Sequence, residues 1–503
     1  MPSLDREAID PDADRVVRKL ARAGHKAYLV GGCVRDLLVS RKPKDFDVAT
    51  SATPNEIKAT FRNSRIIGRR FRLAHVFFGS KIIETSTFRA NPRDEDDHDL
   101  LIRRDNVFGT ETEDARRRDF TINGLFYDVE KEIVIDHVGG LADLSAKLIR
   151  TIGDPDVRFQ EDPVRMLRAI KFAARLDFGF EPTTWRALLR WRGEISKCAA
   201  PRLLEEIHRL MRGGAARRSF ELLVETGVLA VLSPYLAGLL EGPGAPATAP
   251  PLIIEKPLPT VPRLEYVDED PAEHDPDDPP EEDELSPADE LEAEDDVEPE
   301  LDPEEQSWHR VWQDEPMSRP SQAAMIRLSF LPDGPELVRR RELAWKALAE
   351  IDRMVGDSRD PSNAVAFGAM MAPFIFGGDE LRGSELHSAI QELAHPMIVQ
   401  LHVTRRDSER LRYLLLAQKR LYNARKRGVQ AELAGGRDLI EDAVLLFEII
   451  ERAIGNDPGA IATVAPGTNG SAAADDDDPD PTRKRRRRRR GGRRRRYDAQ
   501  GGA

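Results

Sequence analysis

The sequence predicts an α+β protein: a small mixed-sheet head followed by an all-helical neck and body, with a disordered acidic insertion and a disordered arginine-rich tail. Three observations carry this reading. Short β-branched and aromatic runs, bounded by Pro, Lys or Gly as strands are, cluster between residues 27 and 155. From Phe159 onward the apolar residues recur at helical spacing. Charge is also segregated along the chain. The 503 residues carry a net −13, yet residues 265–305 hold 23 Asp or Glu and no Lys or Arg, and residues 483–496 hold 12 basic residues and no acid. Outside these two segments the chain is nearly neutral. Charge segregated in this way marks linkers and tails with partners of their own.

The elements follow in order. Residues 1–26 form an entry segment that becomes helical near Arg15 to Ala23. Ala27-Tyr28-Leu29-Val30 is a short buried strand that runs into the pair Gly31-Gly32 and then a helix at Cys33–Leu38. Phe46 and Val48 flank Asp45 and Asp47 on a second strand; His75–Phe78 and Lys81–Phe88 supply others. Thr53-Pro54-Asn55-Glu56 opens a helix, with Pro54 at its first position and Glu56 completing a capping box. Residues 27–155 therefore form the α/β head and 156–241 a helical neck. Residues 242–306, Pro-rich and then acidic, cannot bury enough apolar surface to fold. Helical spacing returns over 307–456 as a body, and 457–503 is a tail ending in the arginine run. Two cysteines, a polar N-terminus without a signal-peptide pattern and no apolar run of 18 residues predict a cytoplasmic chain with no disulfide framework and no membrane span.

Asp45-Phe46-Asp47 is the chemical centre. Aspartates two apart on a strand share a face, so both carboxylates can serve the same divalent ions. Mg2+ takes hard oxygen ligands, few of them from protein. A bare Asp-X-Asp is most often a polar strand edge. The glycine pair upstream changes that, because it lets backbone approach a phosphate at the start of a helix.

At this point the sequence resembles a known family. LVGGCVRDLL followed by PKDFDVATSATP is similar to the head of the class II nucleotidyltransferases, the bacterial poly(A) polymerases and CCA-adding enzymes. Two later blocks agree: Arg117-Arg118-Asp119-Phe120-Thr121-Ile122-Asn123 resembles the family's RRDFTIN segment, and Glu161 to Arg168 its EDPVRMLR base-reading helix. The resemblance spans residues 27–235. It implies a nucleotidyltransferase head in which Asp45 and Asp47 bind Mg2+ and Asp119 or Glu84 supplies a third carboxylate. Gly31, Gly32 and Arg35 would hold the triphosphate, with Arg118, Asn123 and Arg168 also at the nucleotide. Glu161, Asp162 and Arg165 would read the base. Asp162 and Arg165, three apart on one helical face, can present an acceptor and a donor like a pairing edge.

Three features lean towards the poly(A) polymerase I group. Gly68 to Val76 (GRRFRLAHV) and Leu101 to Gly109 resemble that group's segments, and the tail with Arg485, Arg486, Arg487, Arg493 and Arg494 offers sequence-independent affinity for RNA phosphates. His98-Asp99 sits in an acidic loop, the wrong setting for a hydrolase metal site. The resemblance thus implies transfer of AMP from ATP to RNA 3′ ends and RNA turnover as its setting, with RNA-degradation machinery as a candidate partner. The alternatives are a CCA-adding tRNA nucleotidyltransferase and a non-catalytic RNA-binding protein. The acidic stretch is either an inert linker or an RNA mimic competing with the tail.

Overall fold

The computed structural model describes residues 4–68, 73–90, 108–246, 328–330, 334–376, 383–458 and 465–466. The acidic insertion, the arginine run with Arg485 to Arg494, His98-Asp99 and most of the Leu101–Gly109 stretch lie outside these residues, as do Arg69 to Arg72.

The head is a seven-stranded mixed sheet in the order β3-β4-β5-β2-β1-β6-β7. Its strands are β1 (Ala27–Val30), β2 (Asp47–Thr50), β3 (Ser64–Ile67), β4 (Leu73–Phe78), β5 (Lys81–Thr87), β6 (Leu125–Asp128) and β7 (Ile133–Asp136). Within this sheet only β2 and β5 run parallel; their register sets Asp47 opposite Glu84. β1 is central and buried on both faces, Leu29 in the main core and Tyr28 and Val30 in a smaller cluster with Ala49, Phe88 and Phe126. β3, β6 and β7 are strands that the apolar runs did not single out. β3 (Ser-Arg-Ile-Ile) is an edge strand of alternating exposure, and β6 and β7 are four residues each.

Two boundaries differ from the sequence expectation. Helix α1 (Pro11–Arg22) begins at Pro11 rather than near Arg15, because the Asp10 carboxylate accepts from the N–H groups of Asp12 and Ala13 and Pro11 occupies the first helical position. Asp45 is not on a strand: β2 starts at Asp47, and Asp45 lies exposed in the loop before it. The expected caps elsewhere form. α2 (Gly32–Leu38) follows the glycine pair, and the Thr53–Glu56 capping box opens α3 (Pro54–Thr60).

After α4 (Glu111–Arg117) and α5 (Gly140–Ser145) the chain turns helical. A two-stranded parallel pair, β8 (Leu148–Ile149) with β9 (Gly179–Phe180), ties the end of the head to α6 (Pro155–Glu161) and α7 (Val164–Leu176). α8 (Pro182–Trp191), α9 (Ala200–Arg212), α10 (Ala216–Glu225), α11 (Val228–Leu232) and α12 (Pro234–Leu240) complete this layer. Longer helices follow among the described residues: α13 (Pro335–Gly356), α14 (Asn363–Ile375), α15 (Gly383–Gln400), α16 (Arg405–Arg427) and α17 (Arg437–Ile454). α14 is buried all round, as a helix apolar on every side must be, and the other body helices wrap it. The apolar core is continuous from the head through Phe120, Phe159 and Phe220 to Phe367 and Phe447. Among the described residues no helix is long and apolar enough to cross a membrane.

Candidate active site

A cavity of about 770 Å³ opens between head and neck. The head contributes Gly31, Gly32 and Arg35 at the start of α2, Asp47 on β2, and Arg118, Asp119 and Asn123 after α4. The neck contributes Asp162 with Arg165, Arg168 and Phe172 of α7, and one face of α9: Arg202, Glu205, Glu206 and Arg209. Blocks that are far apart in sequence thus meet around one space.

At the glycine turn, Gly31 has φ +72°, and a Cβ there would lie 2.9 Å from the Arg118 guanidinium. Its neighbour Gly32 is less constrained, since a Cβ would lie 3.7 Å from Arg35. Glycine at 31 therefore serves both a backbone shape and a close approach of Arg118. Arg118 is held by Asp114 (2.9 Å) and lies over the Phe126 ring.

Arg35 is not a free phosphate ligand. Its guanidinium is buried, donates twice to Asp36 (2.8 and 2.6 Å) and once to the Asn123 side-chain oxygen (2.5 Å), and lies over Phe172. The reason is local: Asp36, next in the chain, is itself buried and needs a counter-charge, which Arg175 of α7 also supplies at 3.0 Å. Asn123 passes the network on by donating to Asp119 (3.0 Å).

The two candidates for a third carboxylate stand in different settings. Burial would raise the Asp119 carboxyl, but Arg168 (2.7 Å), Asn123 and the Phe120 N–H more than reverse that and hold it down at about 2. Both of its oxygens are therefore engaged inside the protein. Glu84, by contrast, stands directly beside Asp47 in the β2–β5 register, exposed, with His75 3.9 Å away. Burial and then the adjacent Glu84 carboxylate push the Asp47 carboxyl up to about 6; Arg118 pulls it down and Asp45 adds to the rise. A carboxylate raised by burial and by neighbouring carboxylates in this way fits a divalent cation, whose charge would relieve the repulsion. Hard oxygen donors suit Mg2+. Among the described residues no three His, Cys, Asp or Glu side chains are already gathered around a single cation-sized point. Asp45 and Glu84 do not line the cavity itself.

The residues expected to read the base also differ in detail from the expectation. Asp162 and Arg165 do not share a helix. Proline disfavours helical backbone in the residue before it, so Pro163 ends α6 at Glu161 and leaves Asp162 extended, with α7 starting at Val164. Both side chains still line the cavity. The Asp162 Oδ2 accepts from Arg202 (2.9 Å), while its Oδ1 is buried without a partner among the described residues. Arg165 donates through one nitrogen to Glu161 (2.8 Å) and to the Arg158 carbonyl (2.9 Å). Glu161 is therefore an orienting group outside the cavity, gripped by Arg158 as well.

The sequence did not reveal Phe172, Arg202, Glu205, Glu206 and Arg209. The spacing of Leu204, Ile207, Leu210 and Met211 marks α9 as amphipathic, but nothing local says that its polar face meets the head rather than solvent.

Residues 27–150 match the family described as the poly A polymerase head domain, and residues 177–240 match the one described as a probable RNA- and SrmB-binding site of polymerase A. The amino-terminal half of the chain is thus similar to the corresponding part of poly(A) polymerases and CCA-adding enzymes. Among relatives, poly(A) polymerase I of Salmonella typhi is 46% identical over 242 residues, covering 46% of this chain and 52% of that one. A CCA-adding enzyme of Bacillus velezensis is 36% identical over 237 residues, covering 46% and 58%. The chain thus spans about half the length of the curated relatives it matches. Among solved structures, the Bacillus stearothermophilus CCA-adding enzyme in complex with CTP aligns with TM-score 0.48 and 21% identity over 90% of this chain and 81% of that one.

Proposed function

We propose that the chain adds AMP from ATP to RNA 3′ ends without a nucleic-acid template, releasing pyrophosphate, in the cytoplasm and in the service of RNA turnover. The observation that carries this is the convergence, around one cavity, of an acidic and a basic side chain that could meet a base edge (Asp162 and Arg165), a cationic wall (Arg118, Arg168) and a carboxylate strand (Asp47). A carboxylate oxygen accepts from an exocyclic amine, and a guanidinium donates to the adjacent ring nitrogen. Protein side chains thereby stand in for a template strand. Gly31 keeps Arg118 close to the turn, where the triphosphate's charge would be met. Asp45 and Asp47, with Glu84 alongside, would hold Mg2+, which when bound supplies activation of the RNA 3′-hydroxyl and neutralisation of the charge developing at the α-phosphate.

Adenine and cytosine both offer an amine beside a ring acceptor, so the pairing edge alone does not separate poly(A) synthesis from CCA addition. The greater identity to poly(A) polymerase I, 46% against 36%, favours ATP, and CCA addition to tRNA is the second reading. Asp45→Ala and Asp47→Ala are each expected to abolish extension in a primer assay while leaving RNA binding intact in a gel-shift. Arg165→Ala is expected to relax nucleotide choice; a variant with unchanged preference would remove Arg165 from the base-reading role.

A further inference from the structure

Glu206 belongs to none of the sequence blocks that define the site, yet it is buried in the cavity wall, with a side chain only 6% exposed, among three cations. Its Oε2 accepts from Lys171 Nζ (2.6 Å), and its Oε1 accepts from Arg209 (2.9 Å) and lies 3.9 Å from an Arg168 terminal nitrogen. On its other side Arg168 donates from Nε to Asp119 (2.7 Å). Arg168 therefore sits between a head carboxylate and a neck carboxylate. Arg35, Arg168 and Lys171 lie 4.9, 5.6 and 5.1 Å from the centre of one ring, Phe172. Like charges so close repel unless carboxylates separate them. Asp36 serves Arg35, Asp119 serves Arg168, and Glu206 serves Lys171 while flanking Arg168.

A buried ion pair is a poor way to gain stability, since apolar residues of similar volume pack at least as well. What it does supply is fixed geometry. With Nε on Asp119 and one terminal nitrogen facing Glu206, the guanidinium keeps its other terminal nitrogen without an acceptor among the described residues, and the side chain stays one-third exposed at the cavity.

We propose that Glu206 is a positioning residue for nucleotide binding: acting through Arg168, it aims the free edge of that guanidinium at the phosphates of the entering nucleotide. The inference rests on the nucleotidyltransferase reading above. It is tested in the full-length chain by equilibrium binding of ATP, read beside steady-state extension. E206Q is expected to weaken both Kd and KM for ATP about tenfold, with kcat within about threefold of wild type and RNA affinity unchanged. The double variant K171M/E206Q removes the buried pair together, so no lone charge threatens folding, and it is expected to keep the same weakening. Recovery of wild-type ATP affinity in the double variant would mean that Glu206 only neutralises Lys171, and would overturn the inference. So would an E206Q chain that binds ATP as tightly as wild type. A wild-type chain that binds no ATP would overturn the nucleotidyltransferase reading as well.

Discussion

Asp119 lines the cavity with both carboxylate oxygens engaged inside the protein. Its carboxyl is held at about 2 by partners that outweigh the cost of burying it. A folded pKa below the unfolded value of 3.8 contributes stability that is present above about pH 4 and disappears as pH falls through about 2. Asp119→Asn should therefore lack this component. In urea titrations between pH 5 and pH 2 the wild type is expected to lose on the order of 2 kcal/mol more than the variant, and parallel curves would contradict the assignment. Gly31 makes a second point at the same scale. Gly31→Ala forces a side chain into φ +72° and against Arg118, which should cost about 1–2 kcal/mol in denaturant stability and weaken ATP binding. The motif blocks made these residue identities legible: Gly31, Asp47, Asp119, Asp162 and Arg165 all reach one cavity. Their partners were not legible. That Arg35 spends its donors on Asp36 and Asn123, and that Asp119 belongs to Arg168, depends on burial and on α7 crossing the head.

Among elements, the strands with strong β-branched runs and the helices with caps could be read from sequence, since their signals are local. β6, β7 and edge strand β3 could not. They are four residues each and hold their places by pairing with neighbours rather than by pattern. Helical spacing around Pro163 does not disclose its consequence: it moves Asp162 off the helix that carries Arg165. α9 was visible as a helix while the destination of its polar face was not. An interaction between distant elements outside the site is equally hidden. Arg341 of α13 reaches back about a hundred residues to donate to the carbonyls of Leu239 (2.7 Å) and Pro243 (2.7 Å), capping the end of α12 with a buried guanidinium. Arg341→Ala leaves the carbonyl of buried Leu239 without that donor and should destabilise the chain by about 1–3 kcal/mol. A melting temperature unchanged from wild type would refute that role.

Across the whole molecule, one apolar core runs from head to body, whereas the strongest charge runs lie in the acidic insertion and the tail. The 12 basic residues of 483–496 give the chain a polyelectrolyte arm. Removing that segment should weaken binding of a generic single-stranded RNA and flatten the dependence of log K on log salt, by about 0.7 in slope for every phosphate the arm no longer neutralises. An unchanged slope would place RNA affinity elsewhere. The central claim, template-free adenylation at the cavity between head and neck, is tested most directly by incubating the full chain with a generic RNA and each nucleoside triphosphate singly, with Mg2+. Long tails with ATP alone, absent in Asp47→Ala, are the predicted result. Addition confined to tRNA and stopping after CCA, or no extension with any nucleotide, would contradict it.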